Sequence, residues 1–421
     1  MKEKILIEGG KKLSGSIPIS GAKNSCLTLM PLSLLSCNGL SLNNSPFLSD
    51  VDTMKTLLQS LGCEVVYKKP KKQINLKMHK EGLFLADYDI VKKMRASVLV
   101  LGPLLARFGR GVVALPGGCA IGARPVDLHL MALEALGGRF VIENGYIKGK
   151  VNGSLNGAKF SFPFKSVGAT ANAIMAAVLA KGTSELKNVA QEPEIVDLCK
   201  CLKAMGALIE GEGESTIFIE GVNDLKQATH EVVMDRIELG TYMIAGAISD
   251  GDIKLTGGNI GLLENFVDKL YEAGVEVVQA DNYLRVRRGK SSTIKCTNII
   301  TEPFPGFPTD LQAQMMALLS VANGVSHIKE KIFENRFMHV PELIRMGAKI
   351  KIDGRKAIIS GVDHLKGAPV EATDLRASVS MVLAGLVAKG TTIIDKIHHI
   401  DRGYENIIQK LSACGAEINR I

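Results

Sequence analysis

Apolar positions along this chain recur in two kinds of block. In Ala171–Ala180 (ANAIMAAVLA) and Ala377–Ala388 (ASVSMVLAGLVA), apolar and small residues cover most of the circumference at helical spacing, which predicts helices enclosed by protein on nearly every side. Asp52–Leu61 instead carries its apolar residues on one stripe, the mark of a helix nearer the surface. The blocks end in glycine. Gly62, Gly137, Gly206, Gly274, Gly347 and Gly415 lie 68 to 75 residues apart. A second series, Gly39, Gly111, Gly182, Gly251, Gly324 and Gly390, runs in phase with the first, each glycine following an apolar stretch and preceding a strand-like one. A glycine after a helix supplies the left-handed residue that ends it. Each unit of about 70 residues therefore reads as βαβαββ, repeated six times. Buried helices bundled inside, with strand pairs facing outward, predict an α/β protein of two pseudo-symmetric lobes, three units each, with a cleft between them. A continuous solenoid is the alternative, but its units usually run roughly 20–45 residues, shorter than these.

Composition narrows the class. A chain of 421 residues is long enough for two or three domains with a sizeable core. Its 46% hydrophobic and 22% charged residues exclude a disordered chain or a coiled coil. Met381–Ala388 falls far short of the ~20 apolar residues that span a bilayer. MKEKILIEGG reaches glycine before a secretory signal could form, which predicts a cytoplasmic protein. The cysteines include no CxxC pair and no histidines at zinc-ligand spacing, so metal and disulfide roles are both disfavoured. A formal net charge of +8 favours an anionic partner, either a phosphorylated metabolite or a nucleic acid. The densest basic run, Lys68–Lys72, has no interleaved aromatics and reads as a solvated turn rather than a nucleic-acid patch.

Several residues could carry chemistry. Leu115–His129 (LPGGCAIGARPVDLH) sets Gly117, Gly118 and Gly122 around Cys119 and reads as a loop. Arg124 nearby would favour the thiolate. The plainer reading, a cysteine packed as a small hydrophobe, suits Cys26, Cys63 and Cys414. Lys23 in SGAKNS, Arg95 in MRAS and Arg376 in DLRAS each stand near the start of a buried helix. Unpaired amides already attract anions there, so an added cation makes a phosphate or carboxylate site. Salt bridging competes with that reading, and Asp374 is at hand as a partner for Arg376. Asp310 ends PFPGFPTD at the start of a helix, where it is either an N-cap or a carboxylate fixed as a general base. Arg336 in FENRFMH and Arg402 in HIDRGYE are isolated cations beside aromatics, or else plain surface residues.

Taken together, ISGAKN, MRAS, PGGCAIGARPVDLH, SVGAT, EPEIVD, FPTDLQAQ, FENRFMHVPEL, ATDLRAS and HIDRGYE resemble the UDP-N-acetylglucosamine 1-carboxyvinyltransferases of the enolpyruvyl transferase family, from about residue 4 to the end. The resemblance implies a two-lobed inside-out α/β barrel of six βαβαββ repeats, three per lobe. Residues 23–234 would form the lobe with the cysteine loop, residues 1–22 and 235–421 the other, with the active site in the cleft between them. It implies transfer of the enolpyruvyl group of phosphoenolpyruvate to the 3′-hydroxyl of UDP-N-acetylglucosamine, with release of phosphate and no metal or organic cofactor. That is the first committed step of peptidoglycan synthesis, hence a role in cell shape and division. Both substrates are polyanions, in keeping with the charge.

By motif match, Asp310 takes or holds the proton of the sugar hydroxyl. Cys119 supplies the acid near the pyruvyl C3, forms an adduct with phosphoenolpyruvate and is the target of fosfomycin. Lys23, Arg95, Arg124, Arg336, Arg376 and Arg402 surround phosphate and carboxylate, with Lys23 and Arg402 counted among the catalytic groups. Asn24, Arg124, Pro125, Val126, Asp127, Leu128, His129, Ser166, Val167, Gly168 and Ile332 match the nucleotide-sugar contacts. Phe164 and Lys165 precede SVGAT where a basic residue in other members can sit one place earlier, and Leu99 stands where some are aromatic. Two rivals compete with this reading. The sister transferase acting on shikimate 3-phosphate shares the fold, but the cysteine loop and GAKN disfavour it. A non-catalytic nucleotide-sugar or RNA binding protein is disfavoured by Cys119, Asp310 and the full arginine set.

Overall fold

The computed structural model describes residues 3–79, 83–92, 94–115, 126–289 and 293–421. The chain divides into two compact units. One joins the residues up to Ser20 with Met234–Ile421, and the other comprises the described residues between Gly21 and Val233. Each has its own apolar core. Among the described residues the strands form six four-stranded sheets.

All six sheets share one order and direction of strands, so one serves for all. Lys159–Ser161 and Thr183–Lys187 are parallel neighbours, with the helix Val167–Ala177 between them in sequence. A parallel pair needs such a crossover. The helix Pro193–Ala204 follows, and then the antiparallel pair Leu208–Glu210 and Thr216–Glu220, the latter also pairing with Thr183–Lys187. This is a βαβαββ unit.

Two units exchange their first strands. Ser14–Pro18 pairs in parallel with Asp252–Thr256, Ile17 facing Leu255, while Ala228–Glu231 pairs in parallel with Leu40–Asn43. Ile5–Glu8 is inserted between Thr391–Asp395 and Glu417–Arg420 and completes the last sheet. The Ala22 N–H donates to the Val233 carbonyl at 2.7 Å and the Asp235 N–H to the Ser20 carbonyl at 2.8 Å, so the two segments that pass between units are bonded to each other.

The first helices are buried as their apolar circumference predicts. Every residue of Arg236–Ile248 is buried, as is Leu375–Val387 from Arg376 to Leu386. Two begin earlier than their apolar runs. The Ser166 hydroxyl accepts from the Ala169 N–H, and an Asp374 carboxylate oxygen accepts from the Arg376 and Ala377 N–H groups at 2.8 and 3.1 Å, so each helix starts at its cap. The second helices are amphipathic. Ser49–Ser60 buries Val51, Met54, Leu57 and Leu58, and each such leucine contributes roughly 1.5–3 kcal/mol by leaving water.

The first glycine series ends its helices at φ of 84° to 101°, a conformation that costs a residue with a Cβ. The second series departs at two places. Gly109, at φ 66°, ends Leu101–Phe108 and leaves Gly111 inside the strand Arg110–Ala114, and Asp250, at φ 52°, takes the turn before Gly251. Lys69–Lys71 is a single 3-10 turn between the antiparallel strands Cys63–Lys68 and Gln73–Met78. No helix among the described residues is long and apolar enough to cross a membrane.

Candidate active site

Two of the candidate cations in the unit that contains Asp310, Arg336 and Arg376, meet on that side chain. Pro308 holds the cap position in extended backbone, and Asp310 falls inside the single turn Thr309–Leu311 that leads into Gln312–Leu319. The N-cap reading of Asp310 is thereby corrected. Arg336 Nη2 donates to its Oδ1 at 2.6 Å and Arg376 Nη2 to its Oδ2 at 3.0 Å. The arginine side chains are 4% and 5% exposed against 27% for Asp310. Two buried guanidiniums on one carboxylate leave this trio with a surplus positive charge. Burial pulls the Arg376 pKa down, but the charge of Asp310, supported by Tyr404 and Asp235, raises it above its ordinary value, so the guanidinium stays charged. Asp374 is not the partner of the Arg376 guanidinium, because its carboxylate serves the amides at the helix start, that of Arg376 among them. Arg336 is not a surface residue.

Glu330 holds this arrangement and escapes the sequence reading. It is 1% exposed. Its Oε1 accepts from the Thr301 hydroxyl at 2.7 Å and from the Ile332 and Phe333 N–H groups at 2.8 and 3.2 Å, while its Oε2 accepts from the Thr309 hydroxyl at 2.9 Å. One carboxylate thus fixes both the turn that carries Asp310 and the loop that carries Ile332. Between Lys329 and Lys331 at a strand end, nothing in the sequence separates it from a solvated charge. Arg402 is half-buried in the turn that follows His398 and His399. Burial, then His398 and then the charge of Arg402, lower the His399 pKa.

In the other unit Lys23 opens the helix Lys23–Leu29, its Nζ 3.3 Å from Asp50 Oδ2, with both side chains under 10% exposed. Asn24, beside it, is exposed. The same helix is tied from behind. The Ser25 hydroxyl donates to Asp197, whose other oxygen lies 2.8 Å from His230 Nε2. Arg95 opens the turn Arg95–Val100.

Asp127–Ala135 places Leu128 and His129 inward and Asp127 outward, after the buried Val126. Asn172 Nδ2 donates to His129 Nδ1 and to the Val98 carbonyl, each at 3.0 Å, and Asn172 Oδ1 accepts from the Gly102 N–H at 2.8 Å. Since Nδ1 accepts, the imidazole proton sits on Nε2. Burial first, and the charge of Arg95 second, push the His129 pKa down to about 4, so the ring is neutral. Ser166, Val167 and Gly168 form the capped start of the next buried helix, with Gly168 against the His129 ring. Lys165 donates to Gln191, and Phe164 is 60% exposed. Leu99 is buried. Cys119, Arg124 and Pro125 lie outside the described residues.

A sequence profile described as EPSP synthase (3-phosphoshikimate 1-carboxyvinyltransferase) matches residues 7–411. Proteins named UDP-N-acetylglucosamine 1-carboxyvinyltransferase from Dinoroseobacter shibae and Ruegeria pomeroyi are each 59% identical over 419 residues, covering 100% of this chain and 99% of their own. The chain belongs to the UDP-N-acetylglucosamine 1-carboxyvinyltransferase family. A more distant relative of that name, from Gluconobacter oxydans, is 54% identical over 420 residues, covering 100% of this chain and 99% of its own. The fold of the family is shared more widely. The crystal structure of the enolpyruvyl transferase NikO from Streptomyces tendae matches with a TM-score of 0.88 at 22% identity, over 100% of this chain and 99% of that one. EPSP synthase from Acinetobacter baumannii matches with a TM-score of 0.76 at 16% identity, over 100% of both chains.

Proposed function

We propose that the protein transfers the enolpyruvyl group of phosphoenolpyruvate to the 3′-hydroxyl of UDP-N-acetylglucosamine, in the cytoplasm, as the first committed step of peptidoglycan synthesis. The observation that carries the reading is Asp310, held between the buried guanidiniums of Arg336 and Arg376. The Asp310 carboxylate holds the N–H groups with which a substrate carboxylate or phosphate would pair. An arriving phosphoenolpyruvate competes for the same N–H groups, and Asp310 is then released to accept a proton.

The reaction runs in two steps. The 3′-oxygen attacks C2 of phosphoenolpyruvate as its proton passes to Asp310, and Cys119 delivers a proton to C3, giving a tetrahedral phosphoketal with a methyl group. The Cys119 thiolate then takes a proton back from that methyl as phosphate leaves C2 with the proton held by Asp310, which gives the enol ether and restores both groups. Arg336, Arg376, Arg402, Lys23, Arg95 and Arg124 act on the phosphate and carboxylate, stabilising charge as the ketal forms and collapses. No metal or organic cofactor enters. Asn24, Pro125 to His129, Ser166 to Gly168 and Ile332 contact the nucleotide sugar, and the neutral His129 presents an Nε2–H donor.

Phosphate release from phosphoenolpyruvate, with UDP-N-acetylglucosamine against shikimate 3-phosphate as acceptor, tests the proposal. Release with the nucleotide sugar alone is expected, and release with shikimate 3-phosphate alone overturns it.

A further inference from the structure

The contact between Arg376 and Asp310 depends on a side chain that the proposed chemistry does not use. We infer that Tyr404 is a positioning residue for Arg376, its hydroxyl fixing which guanidinium N–H faces Asp310. The inference rests on the roles given above to Asp310 and Arg376.

Tyr404 is 2% exposed. Its hydroxyl lies 3.2 Å from Arg376 Nη1, 3.2 Å from Gln314 Nε2 and 3.0 Å from Thr241 Oγ1. The hydrogens follow from what each group can do. Arginine and amide nitrogens only donate, so the phenolic oxygen accepts from both. Thr241 spends its own proton on the Ile237 carbonyl at 2.8 Å, so here it accepts and Tyr404 donates. Gln314 Nε2 also donates to the Asp310 carbonyl at 2.8 Å, which sets the amide one way round. The Tyr404 hydroxyl therefore donates to Thr241 and accepts from Arg376 Nη1, and it shares the second Gln314 N–H with Thr241 Oγ1, each 3.2 Å from Nε2.

One oxygen addresses both members of the ion pair. With Nη1 pinned by Tyr404, Nη2 of the rigid guanidinium fork faces Asp310 Oδ2. Through Gln314 the same hydroxyl is tied to the Asp310 backbone. The phenol must stay protonated to donate to Thr241, and burial does raise its pKa, with the Arg376 charge pulling only part of the way back. Local packing seats it. A Cβ at Gly403 would stand 2.6 Å from Leu375 Cδ1, so glycine here lets the turn lie against the side chain that precedes Arg376 without displacing it.

Tyr404→Phe keeps the ring and removes the oxygen. We expect kcat/KM for phosphoenolpyruvate to fall about thirtyfold, as for a buried charged donor left unpaired, and KM for UDP-N-acetylglucosamine to move less than about threefold. Added to Arg376→Lys, the same change should cost less than about threefold more, because a residue acting through Arg376 has nothing left to position. Thr241→Val leaves Tyr404 whole but removes its acceptor, and serves where Tyr404→Phe does not fold; a smaller loss in the same direction is expected.

The second arm needs no substrate. In protein labelled with 13C,15N-arginine, separate Nη signals lost in Arg376→Lys report the restrained guanidinium, and these should average in Tyr404→Phe or Thr241→Val. If the wild-type protein releases no phosphate, the parent reading falls while this arm still decides the inference. Unchanged Arg376 signals, or a fully additive loss in the double variant, overturn it.

Discussion

Gly168 approaches the imidazole of His129 so closely that a Cβ placed there would stand 3.1 Å from Cε1 and 3.3 Å from Nε2. The ring has little room to retreat, because Asn172 holds its Nδ1 from the other side. Gly168→Ala should therefore displace His129 and raise KM for UDP-N-acetylglucosamine about tenfold, the size of a modest overpacking penalty, while KM for phosphoenolpyruvate stays within about twofold. Steady-state kinetics with each substrate varied in turn checks this, and an unmoved nucleotide-sugar KM removes both residues from that contact set.

Asp310→Asn keeps shape and loses charge. Turnover should fall by about 10²–10⁴-fold, the usual worth of a positioned proton acceptor. Stability should also fall, by about 1–3 kcal/mol, since Arg336 and Arg376 are left buried beside a neutral amide. Circular dichroism and urea unfolding report the second effect, phosphate release the first. A variant that is destabilised yet turns over normally would make Asp310 a counter-ion only.

Glu330→Gln replaces an acceptor of four hydrogen bonds with a group that must turn an NH₂ toward some of the same donors. Because the turn of Asp310 and the loop of Ile332 both hang on it, losses are expected on both substrates, about tenfold in each kcat/KM. An effect confined to one substrate would show that the two segments are held independently.

His129 and His339 give the fold an acid-sensitive term. Burial is the main cause in both, and each pKa is lowered to about 4. A folded pKa below the ordinary 6.5 means that the unfolded chain binds more protons, so this stability is full above pH 6.5 and is lost as the pH falls toward about 4. Each ring contributes on the order of 3 kcal/mol over that window. Urea unfolding of His339→Gln should show a gap from wild type that narrows steadily between pH 7 and pH 4.5. A gap constant across that range would mean that His339 is not held neutral.

The thiols differ sharply in readiness. Burial pushes Cys26 and Cys199 up to about 12 and raises Cys63, Cys201 and Cys414 as well. Cys37 is half-buried and Cys296 exposed, so these two are the competitors for Cys119 among the described residues. Fosfomycin should alkylate Cys119, faster with UDP-N-acetylglucosamine present, and Cys119→Asp should abolish the labelling. Peptide mass mapping reads the site directly, and an adduct mainly on Cys37 or Cys296 would take Cys119 out of the reaction.

The six-unit repeat was legible because helix ends are local events, written in a glycine a few residues from the apolar run it closes. Strand exchange was not, since nothing near Ser14 or Ala228 states which sheet it joins; that choice is made by a partner more than 180 residues away. The site divides along the same line. Lys23, Arg95 and Arg376 could be placed at helix starts from sequence, but the partner of Arg376 could not. Asp374, two residues away, looked sufficient, whereas Asp310, 66 residues away, holds it. Tyr404 lay in view inside HIDRGYE with no pattern to mark it as buried, and His339 likewise inside FENRFMHVPEL.

Pairing of Ile5–Glu8 between Thr391–Asp395 and Glu417–Arg420 also sets an order of events during synthesis. Ile5–Glu8 is made long before the strands it pairs with, and Ser14–Pro18 waits for Asp252–Thr256. Meanwhile everything that the unit between Gly21 and Val233 needs, including the strand Ala228–Glu231, has been made by the time Val233 is added. That unit can close while the rest of the chain is still growing. Its partner unit must hold the segment before Ser20, with the apolar Ile5 and Ile7, open until Thr391–Asp395 and Glu417–Arg420 arrive, so these side chains reach their buried places only late in synthesis.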